Sequence, residues 1–417
     1  MPRLALIAGT YHPNCCGVAH YTAHLRDSLA QRGIKSLVLT THAAAQASVD
    51  SDVLGVVRDW HVTELWPLVR SIHATNADIL HIQHAAGTYG FDRSIFLLPL
   101  LLRLTRWRSP IVTTVHEYGW WEWQPSGIPK GLLEWLKEWG QTRRWWDRED
   151  GFLLTQSNAI ITTNRDAKQT IEARLPYLSD RLYQIPIGAN VEVSSPAGES
   201  LTQVRHQIRQ SCSWDDDVAI AAFFGFLHPV KGLETLLPAF KQVVEAIPNA
   251  RLVLVGGVES LALPGEQAAN YWHKLQTLIA DLSLENQVHM TGYLENNAVS
   301  HYLLTADVGV LPFNHGVTLK SGSLLALMAH HLPVIATRST PPDPALEDDQ
   351  LLRWVTPRDI EGLASELIRL FSNAEARHQL SQAGDRFSRQ FSWPDIAQKH
   401  HDIYQALLSA PSRRATR

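Results

Sequence analysis

The residues best suited to chemistry in this 417-residue chain stand just after short apolar runs. His116 follows the run "IVTTV", so we expect its imidazole at the carboxyl end of a buried strand, where it could bind a substrate hydroxyl. Lys231 lies in "FFGFLHPVKGLETLLPAF", between a strand that ends near Gly225 and an amphipathic helix. A lysine there can neutralise a diphosphate, although a solvated surface lysine is the commoner case.

Two further stretches would place anion-binding groups at the start of a helix. In "PNCCGVAHYTAHL" a tight loop containing Gly17 precedes a helix, whose first N–H groups would attract an anion. A plain strand-to-helix turn explains this glycine equally well. The stretch "PFNHGVTLKSGSLLALMAHHLPVIAT" brings a cation and hydroxyls to a helix start without any carboxylate. The residues concerned are Lys320, Ser321, Gly322 and Ser323.

Half of the fourteen tryptophans fall between residues 120 and 146, within an insert that we place at 118–148. Indole rings stack on sugar faces, fill cores or lie at membrane interfaces. Packing accounts best for most of them, since Trp135 and Trp139 share one helix face. The candidates for contact with a second substrate, in and before this insert, are His84, Glu117, Trp120 and Trp121.

The elements that would position these residues alternate between strand-like and helix-like patterns. Such alternation predicts parallel sheets covered by helices on both faces, in an α/β protein. The pattern weakens over 193–216, where we predict a linker with a short helix. On either side we predict a domain at 1–192 and a second domain at 217–390, with a helical region over 391–417. Ligands in such sheets bind beyond the carboxyl ends of the strands, here in a cleft expected between the domains.

Composition narrows the class of partner. The net charge of −4 and the pI of about 6.6 provide no basic field for nucleic acid. Three cysteines without framework or metal spacing favour a reducing cytoplasm, and the longest apolar run falls short of the roughly 20 residues that span a bilayer. Peripheral contact with the inner face of a membrane is conceivable, because Arg143, Arg144 and Arg148 lie among the tryptophans.

Nine of the stretches, in chain order, resemble the GT-B-fold glycosyltransferases of the family-4 type, or glycosyltransferase group 1. They are "CCGVAHYTAHLRDSLAQRG", "ADILHIQH", "TVHE", "IPIGANV", "FFGFLHPVKGLETLLPAF", "ARLVLVGG", "VHMTGYL", "ADVGVLPF" and "SLLALMAHHLPVIAT". The resemblance implies two Rossmann-like doubly wound domains facing a cleft, with the final helix crossing back to the N-terminal domain.

The function that the resemblance implies is transfer of a sugar from a nucleotide-diphosphate sugar to an acceptor hydroxyl. The C-terminal domain would hold the donor and the N-terminal domain the acceptor, which could be a sugar, a lipid-linked molecule or another small molecule. The reaction would retain the anomeric configuration and use neither a bound metal nor another cofactor.

Carried over residue by residue, the resemblance gives His116 a place near the transferred sugar and Lys231 a place on the diphosphate. Gly17 would approach the donor phosphates. Without Mg²⁺, lysine charge and helix N-termini would have to stabilise the leaving diphosphate. The other matching positions, most of which border the nucleotide, are Gly225, Gly256, Gly257, Gly292 and Tyr293.

Two departures from the family pattern concern the donor. Phe226 occupies the position of a usual arginine, and Thr318 and Ala326 occupy the positions of two usual glutamates. Neither a hydroxyl nor a methyl group replaces a carboxylate as acceptor for a ribose diol. A subset of the family has a similar "GVSLRRGSLL" stretch, and on that comparison we hypothesise that Lys320 restores the cation lost at Phe226.

Other functions stay open at this point. Loss of the paired glutamates is compatible with a catalytically silent sugar- or partner-binding protein derived from such an enzyme. A nucleotide-sugar epimerase or a phosphorylase-like enzyme would share the fold, but the carboxylate pair or cofactor lysine pattern that they need is not evident. A dinucleotide oxidoreductase is disfavoured, because the glycine fingerprint with an acidic residue about 20 positions later is missing.

Overall fold

The computed structural model of the chain describes residues 2–11, 16–119, 127–194, 200–261 and 263–409. The chain divides into two compact units, of which the first comprises Met1–Ile187 with Trp393–Arg417 and the second comprises Gly188–Ser392. Each unit contains one parallel β-sheet with helices between successive strands. The α/β class predicted from the alternating pattern is therefore present in both units.

The sheet of the first unit has seven strands in the order β3-β2-β1-β4-β5-β6-β7. Four of these strands, β1, β4, β5 and β6, are buried along their whole length, as expected where helices cover both faces of a sheet. The strands are β1 (Leu4–Ala8), β2 (Ser36–Thr41), β3 (Val53–Val57), β4 (Ile79–His84), β5 (Ile111–Val115), β6 (Ala159–Thr162) and β7 (Leu182–Gln184). The helices are α1 (Gly17–Gln31), α2 (His42–Ala47), α3 (Leu65–Thr75), α4 (Leu98–Leu104), α5 (Lys130–Thr142), α6 (Phe152–Gln156) and α7 (Arg165–Arg174).

The sheet of the second unit has six strands in the order β10-β9-β8-β11-β12-β13. Strand order reverses beside β8, which makes the carboxyl end of β8 the place where a ligand is expected in such a sheet. The strands are β8 (Ala219–Phe224), β9 (Ala250–Val255), β10 (Val288–Gly292), β11 (Val308–Leu311), β12 (Val334–Thr337) and β13 (Arg353–Val355). The helices are α8 (Leu201–Ser211), α9 (Leu233–Ala246), α10 (Gly265–Asp281), α11 (Asn296–Thr305), α12 (Gly322–Ala329), α13 (Ile360–Ser372) and α14 (Ala374–Ser388).

The last helix, α15 (Trp393–Ser409), returns to the first unit and packs against α1. Its buried residues recur at helical spacing and make one apolar face. The ring of His24 stacks on Trp393 with centroids 4.9 Å apart, and Arg32 donates to the carbonyl oxygen of Pro394 at 2.9 Å. The buried residues of the helix are Trp393, Ile396, Ala397, His400, Ile403 and Tyr404.

The stretch 193–216, predicted as a linker with a short helix, contains the helix α8 and is grouped with the second unit. Ser200 caps α8 in a capping box, and the α8 residue Val204 is buried. Arg205 donates to the carbonyl oxygens of Leu304 and Ala306, beside α11. The mostly polar sequence of α8 thus forms an amphipathic helix that packs through one face.

Of the tryptophan-rich insert, Trp120 and Trp121 lie outside the described residues. Trp139 contacts Trp135, Trp145 and Trp146, with ring centroids 5.0–6.1 Å apart. Packing is therefore the role of Trp139, as expected for most of these rings. Among the residues that the structure describes, no helix has the length and apolar character needed to cross a membrane.

Candidate functional site

In the second unit, the segments that follow β8, β9 and β10 meet through glycines. Gly225 and Gly256 have φ angles of +138° and +142°, which L-residues with side chains rarely adopt. A Cβ on Gly256 would lie 2.1 Å from the carbonyl oxygen of Gly225, and one on Gly257 would lie 3.2 Å from Cβ of Tyr293. Gly292 pairs with Gly256 in an isolated bridge. The structure thus brings these predicted residues together at the carboxyl ends of neighbouring strands.

The loop between β8 and α9 is fixed against the loop that follows β11. Gly232 has a φ of +73°, and a Cβ there would lie 1.9 Å from the carbonyl oxygen of Pro312. Asn314 donates from its backbone N–H to Val230 and from its side-chain amide to Pro229, at 3.0 and 2.9 Å. Because both loops follow strands that neighbour each other in the sheet, their contacts give one continuous surface at its carboxyl edge.

Lys231 lies in this surface with its Nζ 3.7 Å from the centroid of the Phe313 ring. Its side chain is partly buried, and burial lowers the pKa of Lys231 to about 8. Within the described part of the chain it forms no ion pair with a carboxylate. A desolvated ammonium that no protein anion neutralises attracts an anionic ligand.

The loop before α12 carries the other predicted groups. Ser321 is the N-cap of α12, and its Oγ accepts a hydrogen bond from the backbone N–H of Leu324 at 3.2 Å. Ser323 is only 7% exposed, and its Oγ would lie 2.9 Å from a Cβ built on Gly225. Lys320 is exposed to solvent. The Ser323 hydroxyl therefore faces the glycine-lined surface, whereas the Ser321 hydroxyl caps the helix.

Asn190 is a residue of this site that the sequence did not single out. Its Oδ1 would lie 2.0 Å from a Cβ on Gly322, and its backbone N–H donates to the carbonyl oxygen of Gly322 at 3.4 Å. Gly322 is therefore required for the close approach of Asn190 to the start of α12. Asn190 lies in the motif "IPIGANV", which resembles the family pattern. The sequence alone gave this asparagine no role.

The two positions that lack glutamates behave differently. Ala326 is fully buried in the core beneath α12, so a side chain at this position points away from solvent. The hydroxyl of Thr318 accepts from the backbone N–H of Lys320 at 3.4 Å. The nearby carboxylate of Asp343 accepts from the N–H of Leu319 at 2.8 Å and thereby holds the loop. The hypothesis that Lys320 compensates for Phe226 stays a prediction.

In the first unit, His116 follows β5 directly, as predicted. Its backbone N–H donates to the carbonyl oxygen of His84 at 2.9 Å, and its own carbonyl accepts from the Asn164 amide at 3.1 Å. The imidazole Nε2 lies 3.0 Å from Oε1 of Gln83, and the ring meets Tyr21 edge-on with centroids 4.8 Å apart. Burial lowers the pKa of His116 to about 3, together with the nearby imidazoles of His84 on β4 and His400 on α15.

The side chain of His84, a candidate for the acceptor side, is only 2% exposed, and its contact with an acceptor stays a prediction. Its Nε2 lies 3.2 Å from Oδ1 of Asp150, which is equally buried. Glu117 is exposed, and Gly17 begins α1 with open space where a Cβ would stand. Among the described residues, which leave out 12–15 just before this helix, no close neighbour requires Gly17, and no side chain caps the start of α1.

The acidic stretch "WDRED" contributes buried carboxylates to the first unit. Asp147 accepts from the Tyr118 hydroxyl at 2.9 Å, and Glu149 accepts from Arg174 at 2.6 Å. Burial and the charge of Asp150 raise the pKa of Asp147 to about 6 and that of Glu149 to about 7. Beside them lies a cavity of about 690 Å³, lined among others by Phe91, Arg93, Phe96, Lys137, Trp146 and Phe152.

Comparison with solved structures identifies the fold. A glycosyltransferase from Rickettsia africae matches 98% of this chain and 99% of its own with a TM-score of 0.72 at 15% identity. Anabaena HepE, solved in complex with UDP and glucose, matches 97% of this chain and 100% of its own with a TM-score of 0.66 at 14% identity. The GT-B fold implied by the sequence resemblance is confirmed.

Comparison of sequences identifies the family. Residues 16–193 match the model described as Glycosyltransferase Family 4, and residues 204–387 match the one described as Glycosyl transferases group 1. The MMP alpha-(1->4)-mannosyltransferase of Mycolicibacterium hassiacum is 24% identical over 341 residues, which are 80% of this chain and 71% of that protein. The chain belongs to the family-4, group 1 glycosyltransferases, and the resemblance stated from its motifs is confirmed.

Proposed function

We propose that the protein transfers a sugar from a nucleoside-diphosphate sugar to an acceptor hydroxyl, with retention of configuration and without a bound metal. The observation that carries the proposal is Lys231, a partly buried cation without a carboxylate partner in the described residues. It stands beside the glycine-lined carboxyl ends of β8, β9 and β10, where backbone groups can approach a ligand closely.

In this proposal Lys231 stabilises the diphosphate as it leaves the sugar. Negative charge grows on the diphosphate in the transition state, and a fixed cation in a partly desolvated site stabilises that charge more than water would. Lys320 adds a second, solvent-exposed cation at the start of α12. Together with the N–H groups of that helix start, these lysines supply positive charge from the chain itself.

The ribose and the sugar would be held by uncharged groups instead of the two usual glutamates. The Ser323 hydroxyl lies next to Gly225, and Asn190 lies against the start of α12. A hydroxyl and an amide both donate and accept hydrogen bonds, so each can bind one sugar hydroxyl. Single hydrogen bonds are weaker than bidentate contacts to a carboxylate, and we therefore expect a modest affinity for the nucleotide.

Retention fits the properties of His116 in the first unit. An inverting transferase needs a general base whose pKa lies near the working pH. With a pKa of about 3, His116 is neutral at pH 7 and a poor base, although its imidazole still accepts a hydrogen bond from a sugar or acceptor hydroxyl. In a retaining front-side displacement, the acceptor hydroxyl passes its proton to the departing phosphate. His116 then does not need to act as a general base.

Other parts of the first unit are candidates for binding the acceptor and for contact with a membrane. We propose that the acceptor binds on this unit and that α5 touches the inner face of a membrane, which would place the enzyme in the cytoplasm. Trp135 and Trp145 are 57% and 52% exposed, and Arg143 and Arg144 are exposed beside them. Exposed indoles with cations suit the headgroup region of an anionic bilayer. Arg148 instead donates to Glu134 at 2.7 Å.

Vesicle sedimentation tests the membrane contact. The protein should sediment with vesicles containing phosphatidylserine but not with pure phosphatidylcholine vesicles, and binding should weaken as salt increases. The double variant Trp135→Ala, Trp145→Ala should remain in the supernatant. Equal partition of wild type and variant would contradict the proposed surface.

The transferase activity is tested by release of nucleoside diphosphate from a panel of uridine, guanosine and adenosine diphosphate sugars, with and without sugar acceptors. Release that persists in EDTA supports independence from a bound metal, and NMR of the product determines its anomeric configuration against that of the donor. Silence on every donor, combined with absent nucleoside diphosphate binding by calorimetry, would favour a non-catalytic sugar- or partner-binding protein. Conversion of the donor into its epimer would indicate an epimerase of the same fold.

A further inference from the structure

A series of buried polar side chains connects His116 with the C-terminal helix α15. Gln83 on β4 is fully buried, and its Oε1 lies 3.0 Å from Nε2 of His116. An amide oxygen only accepts hydrogen bonds, so His116 must carry its proton on Nε2 and donate it to Gln83. This leaves Nδ1 as the nitrogen with a lone pair, and no donor from the described residues is bonded to it.

The orientation of the Gln83 amide is set by its other end. The amide nitrogen of Gln83 lies 3.3 Å from Nε2 of His81, and the hydroxyl of Thr114 lies 2.7 Å from the same atom. Both groups can donate, so Nε2 of His81 accepts and its proton is on Nδ1. That proton is donated to the hydroxyl oxygen of Tyr404 on α15, at 2.7 Å. His81 and Tyr404 are both fully buried.

We propose that Tyr404 and His81, acting through Gln83, are positioning residues that fix His116 as the Nε2–H tautomer and direct its Nδ1 lone pair at a substrate hydroxyl. The proton positions follow from geometry alone, whereas the use of Nδ1 in catalysis rests on the proposed transferase function. The C-terminal helix thereby has a chemical role in the first unit in addition to its packing on α1.

The surroundings keep this arrangement neutral. The titratable groups near the His116 ring are Tyr21 on α1, His84 on β4 and His400 on α15, with Glu117 adjacent in sequence and exposed. His400 donates from Nδ1 to the carbonyl oxygen of Ile396 at 2.9 Å, and in its neutral form its Nε2 accepts from the Tyr21 hydroxyl at 3.4 Å. Burial lowers the pKa of His400 to about 4. None of these neighbours forces a proton onto Nδ1 of His116 near pH 7.

The sharpest test is Tyr404→Phe, which removes the acceptor for the Nδ1 proton of His81. The proton of His81 then moves to Nε2, where Thr114 can accept it. The amide of Gln83 must turn to present its oxygen to His81 and its nitrogen to His116. His116 therefore has to accept at Nε2, and its own proton moves to Nδ1. The number of protons is unchanged, but the lone pair no longer faces the substrate.

Long-range ¹H–¹⁵N NMR of protein labelled with ¹⁵N-histidine reads these tautomers directly, and His116→Gln identifies the signals of His116. We expect the Nε2–H tautomer in wild type and the Nδ1–H tautomer in Tyr404→Phe. The matched control is Tyr89→Phe, because Tyr89 is an equally buried tyrosine whose hydroxyl donates to the backbone oxygen of Gln83 at 2.8 Å. It should leave the tautomer of His116 unchanged.

Kinetics provide the second measurement. With a donor found in the diphosphate-release assay, Tyr404→Phe should lower kcat about tenfold at an unchanged KM for the donor, as expected for one misdirected hydrogen bond. Tyr89→Phe should stay within about twofold of wild type. An Nδ1–H tautomer in the wild type, or an unchanged His116 tautomer in Tyr404→Phe, would refute the positioning role.

The two proposals can fail separately. Because NMR needs no substrate, the predicted tautomers in an enzyme that is silent on every donor would refute the transferase function and leave the positioning of His116 intact. An active enzyme in which His116 is the Nδ1–H tautomer would support the transferase function and refute the positioning of His116. If Tyr404→Phe does not fold, Gln83→Met is the replacement test, since it keeps the volume and removes the acceptor. It should mix the two tautomers of His116, and an unmixed Nε2–H signal would overturn the proposal.

Discussion

The pKa of Lys231 makes donor binding depend on pH in a way that can be calculated. With a pKa of about 8, this lysine is about 90% protonated at pH 7 and about 10% protonated at pH 9. If only the ammonium form binds the diphosphate, the apparent Kd of a nucleoside diphosphate rises about tenfold over this range. The sign follows because raising the pH removes the cation that attracts the ligand.

Replacing Lys231 with methionine gives the size of the interaction. A hydrogen bond to a charged group contributes about 2 kcal/mol, so the variant should bind the nucleoside diphosphate about 30-fold more weakly at pH 7. Methionine retains the apolar contact with Phe313, so the fold of the loop should persist. Because the cation is gone, the variant should also lose the tenfold rise between pH 7 and pH 9.

Isothermal titration calorimetry at pH 7, 8 and 9 measures both effects on the same ligand. Ionisation of the nucleotide itself is common to wild type and variant, and the difference between their two pH profiles removes it. A wild-type Kd that does not change with pH, or a Lys231→Met profile that rises as steeply as that of wild type, would refute the assignment of Lys231 to the diphosphate.

Three further perturbations test neighbouring parts of the argument. Lys320→Ala should weaken diphosphate binding several-fold while preserving the wild-type rise with pH, and unchanged affinity in calorimetry would reject Lys320 as the compensating cation. Gly256→Ala should lower the free energy of unfolding by about 3 kcal/mol in a urea titration, because the methyl group meets the Gly225 oxygen at a φ of +142°. The control Gly131→Ala, where no described residue lies close to the added Cβ, should change it by less than about 1 kcal/mol. His400 is buried as the neutral form, so the unfolded chain binds a proton there at a higher pH than the folded protein does. The free energy of unfolding of wild type, measured in urea, should therefore fall by about 2 kcal/mol more than that of His400→Gln between pH 7 and pH 5. Equal losses in wild type and variant would contradict the burial of His400 as the neutral form.

The elements of the fold were predictable because their signal is local. Apolar runs such as "LALIAGT" and "DILHIQH" predicted β1 and β4, and glycines such as Gly225 predicted where strands end and helices begin. The resemblance to the family rests on short motifs in chain order, so it could be recognised without knowing which distant residues are in contact. The sequence predicted a short helix within 193–216 but not its packing on the second unit, because α8 is mostly polar and Val204 is its one buried residue.

The site was less predictable because side chains on a strand alternate between its two faces. His84 was expected to face a substrate, but its ring pairs with Asp150, 66 positions later in the chain. A role for Gln83 could not be predicted, because a single glutamine in an apolar strand forms no motif with other residues of the sequence. Only the contact between β4 and β5 brings Gln83 to His116, and only the return of α15 brings Tyr404 to His81.

The path of the chain through the two units also sets the order in which they can finish folding. The second unit is continuous in sequence, whereas the first is interrupted after Ile187 and completed by α15, which begins at Trp393. On the ribosome, the unit that is synthesised first therefore keeps an uncovered apolar face until the last helix emerges, while the second unit already has all its strands. The half of the protein made earliest is the half completed last, and a chain released before Trp393 would expose the surface of α1 that α15 covers.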